Sequence, residues 1–242
     1  MSTSSQDSKH EFLRGITDGV PICLGYFSVA FAFGIFAVGN GLTVLQSLLI
    51  SMTNVTSAGQ LAAVPIMTSG GTLIELAVAQ LVINLRYALM SVSLSQKLGK
   101  NVRMLDRFIV SFVNTDEVFA VASGNPGSVC REYLYGLILT PYIGWSAGTL
   151  VGAVAGNILP QLVITSLGVA IYGMFVAIVV PETRKHKATA ACVLVSVLLS
   201  CVFRYTPVLN KISAGFVIII CAVAASALFA AVAPVPSEND DN

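Results

Sequence analysis

From Gly19 to Ile74 the chain reads GVPICLGYFSVAFAFGIFAVGNGLTVLQSLLISMTNVTSAGQLAAVPIMTSGGTLI, without one charged side chain. A helix needs roughly 20 apolar residues to cross about 30 Å of hydrocarbon, so this stretch is long enough for two passes. Glycine turns interrupt it at Gly39-Asn40-Gly41 and again at Ser69-Gly70-Gly71. The remainder of the 242 residues follows the same pattern: 13 Lys and Arg with 12 Asp and Glu amount to 10% of the chain, against 55% for the hydrophobic set. A soluble surface requires about 25–35% charged residues. With a mean hydropathy of +0.83, the fold class is all-α, a polytopic bundle of membrane helices.

The same totals remove several function classes. A net charge of +1 supplies no basic footprint for nucleic acid. Cys23, Cys130, Cys192, Cys201 and Cys221 are widely spaced and, Cys130 apart, sit in apolar runs as small hydrophobes; no metal site and no cofactor are expected. His10 lies in the polar tail and His186 in a basic loop, which leaves no histidine base inside a span and makes an enzyme the least favoured class. Residues 1–18 are polar and start no signal sequence. The expected organisation is a polar tail over 1–18, a single transmembrane domain over 19–233, and a polar acidic tail over 234–242.

Charge-free runs and turn residues divide the domain into seven or eight segments: about 19–39, 43–67, 72–95, 108–123, 133–155, 161–180, 188–203 and 212–233. Segments four and seven are short. If all eight cross, the positive-inside rule returns a tie. Lys9, Arg14, Arg131, Arg184, Lys185 and Lys187 fall on one side, and Lys97, Lys100, Arg103, Arg107, Arg204 and Lys211 on the other. A broken or re-entrant helix resolves such a conflict, and membranes tolerate one where protein or a water cavity covers its backbone. Segment four is the leading candidate, and segment two, with its polar centre, the next.

The residues that carry chemistry are those that hydrocarbon disfavours. Segment two places Ser51, Thr53, Asn54, Thr56, Ser57 and Gln60 near mid-depth. A bare amide there costs several kcal/mol, so the cluster fits an unwound stretch that holds a polar ligand, as in discontinuous transporter helices. Hydroxyls bonding back to their own helix are the plainer alternative. Segment three carries Glu75 and Arg86, eleven residues and almost three turns apart, on one face but about 16 Å from each other. Arg86, with Asn84 two residues earlier, suits a substrate carboxylate or a snorkelling side chain. Asp116 and Glu117 are adjacent and point different ways; one can pair with Arg86, carry a proton or meet an ammonium. Gly144, Gly148, Gly152 and Gly156 recur every fourth residue as a small-residue stripe for close helix packing. Segments one and five echo one another, beginning at Pro21 and Pro141 and ending at Gly39-Asn40 and Gly156-Asn157.

These residues resemble a known family. Phe12-Leu-Arg-Gly15, Pro21-Ile-Cys-Leu-Gly25 and Phe33-Gly34, then Asn84-Leu-Arg-Tyr-Ala-Leu-Met90 with Ser93-Leu-Ser95, are similar to motifs of the branched-chain amino acid exporter large subunit, the azaleucine-resistance (AzlC-like) permeases. So are Thr115-Asp116-Glu117-x-Phe119, Gly136-Leu137, Trp145, Gly148-Thr149, Ile158, Pro160 and Phe175 to Pro181. The likeness covers about 12–181. Val55-Thr-Ser-Ala-Gly-Gln-Leu61 keeps the glutamine of the family's polar element but not its aromatics, and Ser28 and Ala170 stand where the family has proline and aspartate.

The resemblance implies a secondary transporter that exports valine, leucine, isoleucine or related amino acids such as methionine by alternating access, coupled to protons. It also implies a small multi-span AzlD-like partner and residence in a bacterial inner membrane. On this view Asn54, Ser57, Gln60, Asn84, Arg86 and Asp116 bind substrate, and Glu75, Asp116 and Glu117 serve coupling or ion pairing. Transport of another small zwitterion, or a channel or scaffold role, are the alternatives.

Overall fold

The computed structural model describes residues 2–160, 162, 173, 176, 179–181, 183–184 and 187–232. All named elements are helical: α1 (Ser2–Gly39), α2 (Val44–Thr53), α3 (Ser57–Thr68), α4 (Leu73–Ser95), α5 (Met104–Phe112), α6 (Asp116–Gly124), α7 (Arg131–Ile158), α8 (Lys187–Tyr205) and α9 (Ala214–Val232), with a 3₁₀ turn at Leu209–Lys211 before α9. Among the described residues five helices are long and apolar enough to cross a membrane: Gln6–Gly39, Leu73–Ser95, Arg131–Ile158, Lys187–Tyr205 and Gly215–Val232. This corrects the expected seven or eight. Segments two and four are each broken into two short helices, and segment six lies almost wholly outside the described residues. At 9 to 12 residues the pieces are only about 14–18 Å long, half a bilayer. The polar stretch 2–18 is helical, continuous with the first span.

The described residues fall into two compact units. The first comprises residues up to Leu61 and from Ile83 to Ile171, the second Ala62–Val82 and the residues beyond Ile171. The first is built on α1 and α7, which run parallel with their backbones nearly touching. A Cβ on Gly15 would stand 2.8 Å from Leu137 N, and one on Gly136 would stand 2.9 Å from Ile16 N. The contact is reciprocal: Gly15 lies between Tyr133 and Leu137, and Gly136 between Phe12 and Ile16. Further along, Gly144 seats on Cys23, Gly148 on Phe27, Gly152 on Phe31 and Gly156 on Ile35. Apolar solvation gives little reason for helices to associate in lipid, so close backbone packing at small residues carries the association. Tyr26, Ala30, Leu134, Leu137, Ile138 and Trp145 form the core with Val110, Val113, Val118 and Ala122 of the second broken pair.

α5 and α6 form a re-entrant hairpin. It starts beside Tyr135, whose hydroxyl donates to Asp106 at 2.7 Å, and descends along α7 until Phe112 meets Tyr142, ring centroids 6.4 Å apart. After Val113-Asn114-Thr115 it returns to Asn125, which donates to the Tyr133 hydroxyl at 2.9 Å. It therefore enters and leaves at the end where α7 begins. α4 ends there too: Leu98 bridges Val129 and Lys97 donates to Asn125 O at 3.0 Å. α2 descends from the opposite end, after the turn where Gly41 takes φ +90°. At Asn54-Val55-Thr56 the chain reverses, since Gln60 of α3 is back beside Ser51 of α2 at 2.9 Å.

The two halves share a register of sixty residues. Thr43 and Arg103 start α2 and α5, and in each the side chain three residues on turns back to bond that residue's N–H: Gln46 at 2.9 Å and Asp106 at 2.8 Å. Ser51 and Ser111, then Asn54 and Asn114, mark the same positions toward the two tips. α1 runs away from the end that α4 runs toward, so α1–α2–α3 and α4–α5–α6 are related by inversion.

In the second unit the Glu75 carboxylate is buried at 3% exposure and accepts the Gly215 N–H at 2.9 Å, at the start of α9. Thr72 Oγ1 caps α4 by accepting the Glu75 N–H at 3.1 Å.

Candidate functional site

Each helix break leaves N–H groups of the following helix and C=O groups of the preceding one without helical partners. At the first tip the chain repairs part of this locally. Asn54 N–H bonds Ile50 O at 2.8 Å, Thr56 N–H bonds Asn54 O at 2.9 Å, and Gln60 N–H bonds Thr56 O at 3.0 Å. At the second tip Thr115 N–H bonds Val113 O at 2.9 Å and Phe119 N–H bonds Thr115 O at 2.8 Å. Asn and Thr suit these positions because their short polar side chains favour caps over helix interiors.

α4 joins the two tips. Arg86 Nη1 lies 2.7 Å from Asp116 Oδ2, at the first turn of α6. Arg86 Nη2 donates to the Tyr87 hydroxyl at 3.1 Å, and that hydroxyl reaches Thr56 Oγ1 at 3.4 Å. One turn further along α4, Ser91 Oγ accepts from Asn114 Nδ2 at 3.1 Å. From α1, the Tyr26 hydroxyl bonds Thr115 Oγ1 at 2.5 Å and also the Glu117 carboxylate, while its ring packs edge-on against Trp145. From α7, Thr149 Oγ1 lies 2.6 Å from Ser51 Oγ, which in turn donates to Gln60 Oε1.

The helix termini are electrostatically unequal. Both α3 and α6 direct positive N-terminal ends toward the tips. Asp116 and Glu117 complement that of α6, and α3 has no acidic residue in its first turn. Three polar atoms around the tips, Gln60 Nε2, Asn114 Oδ1 and Trp145 Nε1, are buried with no hydrogen-bond partner among the described residues. Two are donors and one an acceptor, and a buried polar atom left bare is costly, so they fit a small polar ligand that both accepts and donates hydrogen bonds. Cys, His, Asp and Glu form no metal-holding group among the described residues.

Of the residues singled out in the sequence, Asn54, Ser57, Gln60, Arg86, Asp116 and Glu117 gather at the two tips. Asn84, two residues before Arg86 and half-buried, lies on a different side of α4, since two residues turn a helix by about 200°. Glu75 belongs to the second unit. Tyr26, Tyr87, Asn114, Thr115, Trp145 and Thr149 belong to the site but were not assigned to it from the sequence. The available signal was the sixty-residue register, which aligns Asn54 with Asn114 and so marks a second polar tip.

The chain is 30% identical over 182 residues to an "Uncharacterized membrane protein" of Archaeoglobus fulgidus, covering 74% of this chain and 80% of that one. It is 28% identical over 214 residues to "Inner membrane protein YgaZ" of Escherichia coli, covering 85% and 86%. An "Uncharacterized membrane protein" of Helicobacter pylori is 26% identical over 163 residues, 61% of this chain and 67% of that one. No solved structure matches significantly. The family described as "AzlC protein" matches residues 21–159, which takes in the second half of α1 and every helix from α2 through α7. The chain is a multi-pass membrane transport protein, not an enzyme, and it belongs to the AzlC family.

Proposed function

We propose that the protein is a secondary transporter that exports branched-chain and related aliphatic amino acids by alternating access with proton coupling. The observation that carries this is the meeting of two half-helix tips around the Arg86–Asp116 pair. Discontinuous helices of this kind place unsatisfied backbone groups and terminal dipoles around a mid-membrane polar substrate. The uncomplemented N-terminus of α3, with Ser57, Gln60 and Asn54, suits the substrate carboxylate, and Arg86 turns to it when Asp116 is protonated or meets the ammonium. Asn84, on a different side of α4 from Arg86, is left out of this set of contacts. Asp116 and Glu117 are the proton carriers nearest the tips, and Glu75 a second coupling group in the other unit. The relative from Escherichia coli is named an inner membrane protein, and an inner-membrane location with a small AzlD-like partner is the setting proposed here.

Purified protein in liposomes, with and without the small partner, is assayed for counterflow of labelled leucine. Saturable counterflow with competition by valine, isoleucine and methionine is expected. Discrimination among them is modest, since a methylene in an apolar pocket is worth only about 1–3 kcal/mol. Arg86→Ala lowers the rate by at least about tenfold, the value of one charge-assisted hydrogen bond. Absence of counterflow in every preparation, or full activity in Arg86→Ala, overturns the assignment.

A further inference from the structure

Tyr26 and Tyr87 occupy neighbouring positions in the sixty-residue register, Tyr26 aligning with Arg86 and Phe27 with Tyr87. Each hydroxyl crosses to the hairpin of the other repeat. Tyr26 of α1 reaches Thr115 and Glu117 on the α5–α6 hairpin, and Tyr87 of α4 reaches Thr56 on the α2–α3 hairpin. The acceptors are register neighbours too, Thr56 aligning with Asp116 and Val55 with Thr115. One contact is thus made twice, in opposite orientations.

The two copies are not equally tight. Tyr26 and Thr115 are buried and 2.5 Å apart. Tyr87 and Thr56 stand at 3.4 Å, at the limit of a hydrogen bond, beside an Arg86 side chain that is half-exposed. Proteins built from inverted repeats alternate by rocking one element against another around a fixed site. One tight and one slack copy of the same contact is the signature of one end state of such an exchange.

We propose that Tyr26 and Tyr87 are the paired gates of the transport cycle, each latching the hairpin of the opposite repeat. They close in alternation, with the Tyr26 latch shut and the Tyr87 latch slack in this conformation. The proposal rests on the transporter reading above. It also explains an asymmetry within the register. Glu117 aligns with Ser57, so the Tyr26 hydroxyl has a carboxylate acceptor beside Thr115, whereas the Tyr87 hydroxyl has Thr56 as its one acceptor and itself accepts from Arg86. With two acceptors and the shorter contact, the Tyr26 latch holds the resting protein on its side.

The test is thiol accessibility in membrane vesicles, using the full chain with its five native cysteines replaced. Val55→Cys and Val113→Cys place single thiols at the two tips, where both valines are buried, and a membrane-impermeant maleimide is applied from either face. Tyr26→Phe is expected to speed labelling at position 113 by about tenfold, the population change that one strong hydrogen bond supports, and to slow it at position 55. Tyr87→Phe is expected to act with the opposite sign on both probes. Thr115→Val combined with Glu117→Ala, and Thr56→Val, which remove the acceptors instead, should reproduce the two patterns even if a tyrosine variant fails to accumulate. Changes of the same sign at both probes, or none, overturn the proposal. Labelling needs no substrate, so loss of leucine counterflow with the latch pattern intact would instead count against the substrate assignment.

Discussion

Arg86 and Asp116 stand 2.7 Å apart with 52% and 45% of their side chains exposed in the bare chain. In water such a pair is worth about 0–1 kcal/mol, whereas a lone arginine or a lone aspartate at the centre of a membrane helix costs about 2.5–3.5 kcal/mol. Arg86→Ala is therefore expected to reduce the amount of protein in the membrane by stranding Asp116. The double variant Arg86→Ala with Asp116→Ala should restore the amount but not counterflow, and immunoblotting of membranes beside the transport assay separates the two effects. Asp106 behaves differently. The Tyr135 hydroxyl, and after it the Arg103 N–H, hold its carboxyl below the usual carboxylate range. A folded value below the unfolded one gives stability that is present above the unfolded value, about 3.9, and lost as pH falls through the folded one. Thermal unfolding in detergent should thus show a midpoint that drops as pH is lowered below about 4, and Asp106→Asn should flatten that dependence while lowering the midpoint at neutral pH.

Among the elements, the parallel packing of α1 on α7 leaves no room for side chains at its contact points. A Cβ on Gly148 would lie 2.9 Å from Phe27 Cα, and one on Gly144 would lie 2.5 Å from Cys23 O. Overpacking of this kind costs at least about 1–3 kcal/mol. Gly148→Val is expected to lower the thermal midpoint clearly, and Gly25→Ala, where nothing lies within 4 Å, to leave it unchanged; differential scanning fluorimetry of the two variants decides. The glycine period was visible in the sequence because a four-residue repeat keeps to one helix face. The breaks were only half visible. Segment four and then segment two were the candidates for a broken helix, and both are broken, but neither Asn54-Val55-Thr56 nor Val113-Asn114-Thr115 contains the proline or glycine that would mark where the chain turns. Hydropathy measured over a whole segment averages two half-helices and their tip into one apparent span. Tyr26 escaped for the opposite reason: a lone tyrosine in an apolar helix has no periodic signature, and its hydrogen bonds come from residues about ninety positions away.

At the scale of the whole molecule, the hairpin geometry changes how the loop charges are counted. Because α5–α6 returns to the end from which it starts, Lys9, Arg14, Lys97, Lys100, Arg103, Arg107 and Arg131 all gather at one end of the first unit. The turn after α1, Gly39 to Leu42, has no charge. The tie found by assuming eight crossings is removed for this part of the chain, and the positive-inside rule places that end in the cytoplasm. Single cysteines introduced at Lys100 and Ser128 should react from the cytoplasmic face, and one at Gly41 from the opposite face; reaction of all three from one face would refute the arrangement.

The seating of α1 on α7 also sets a timetable for biogenesis. The surface of α1 that carries Gly15, Gly19 and Gly34 finds its partner only in residues 133 to 153. At about 5–20 residues per second, the ribosome takes roughly 5–25 s to travel from the end of the first helix to the end of the seventh. Throughout that interval the first helix waits in the bilayer with its notched face against lipid or an insertion factor, and the core of the bundle closes late, when translation is already well past its midpoint.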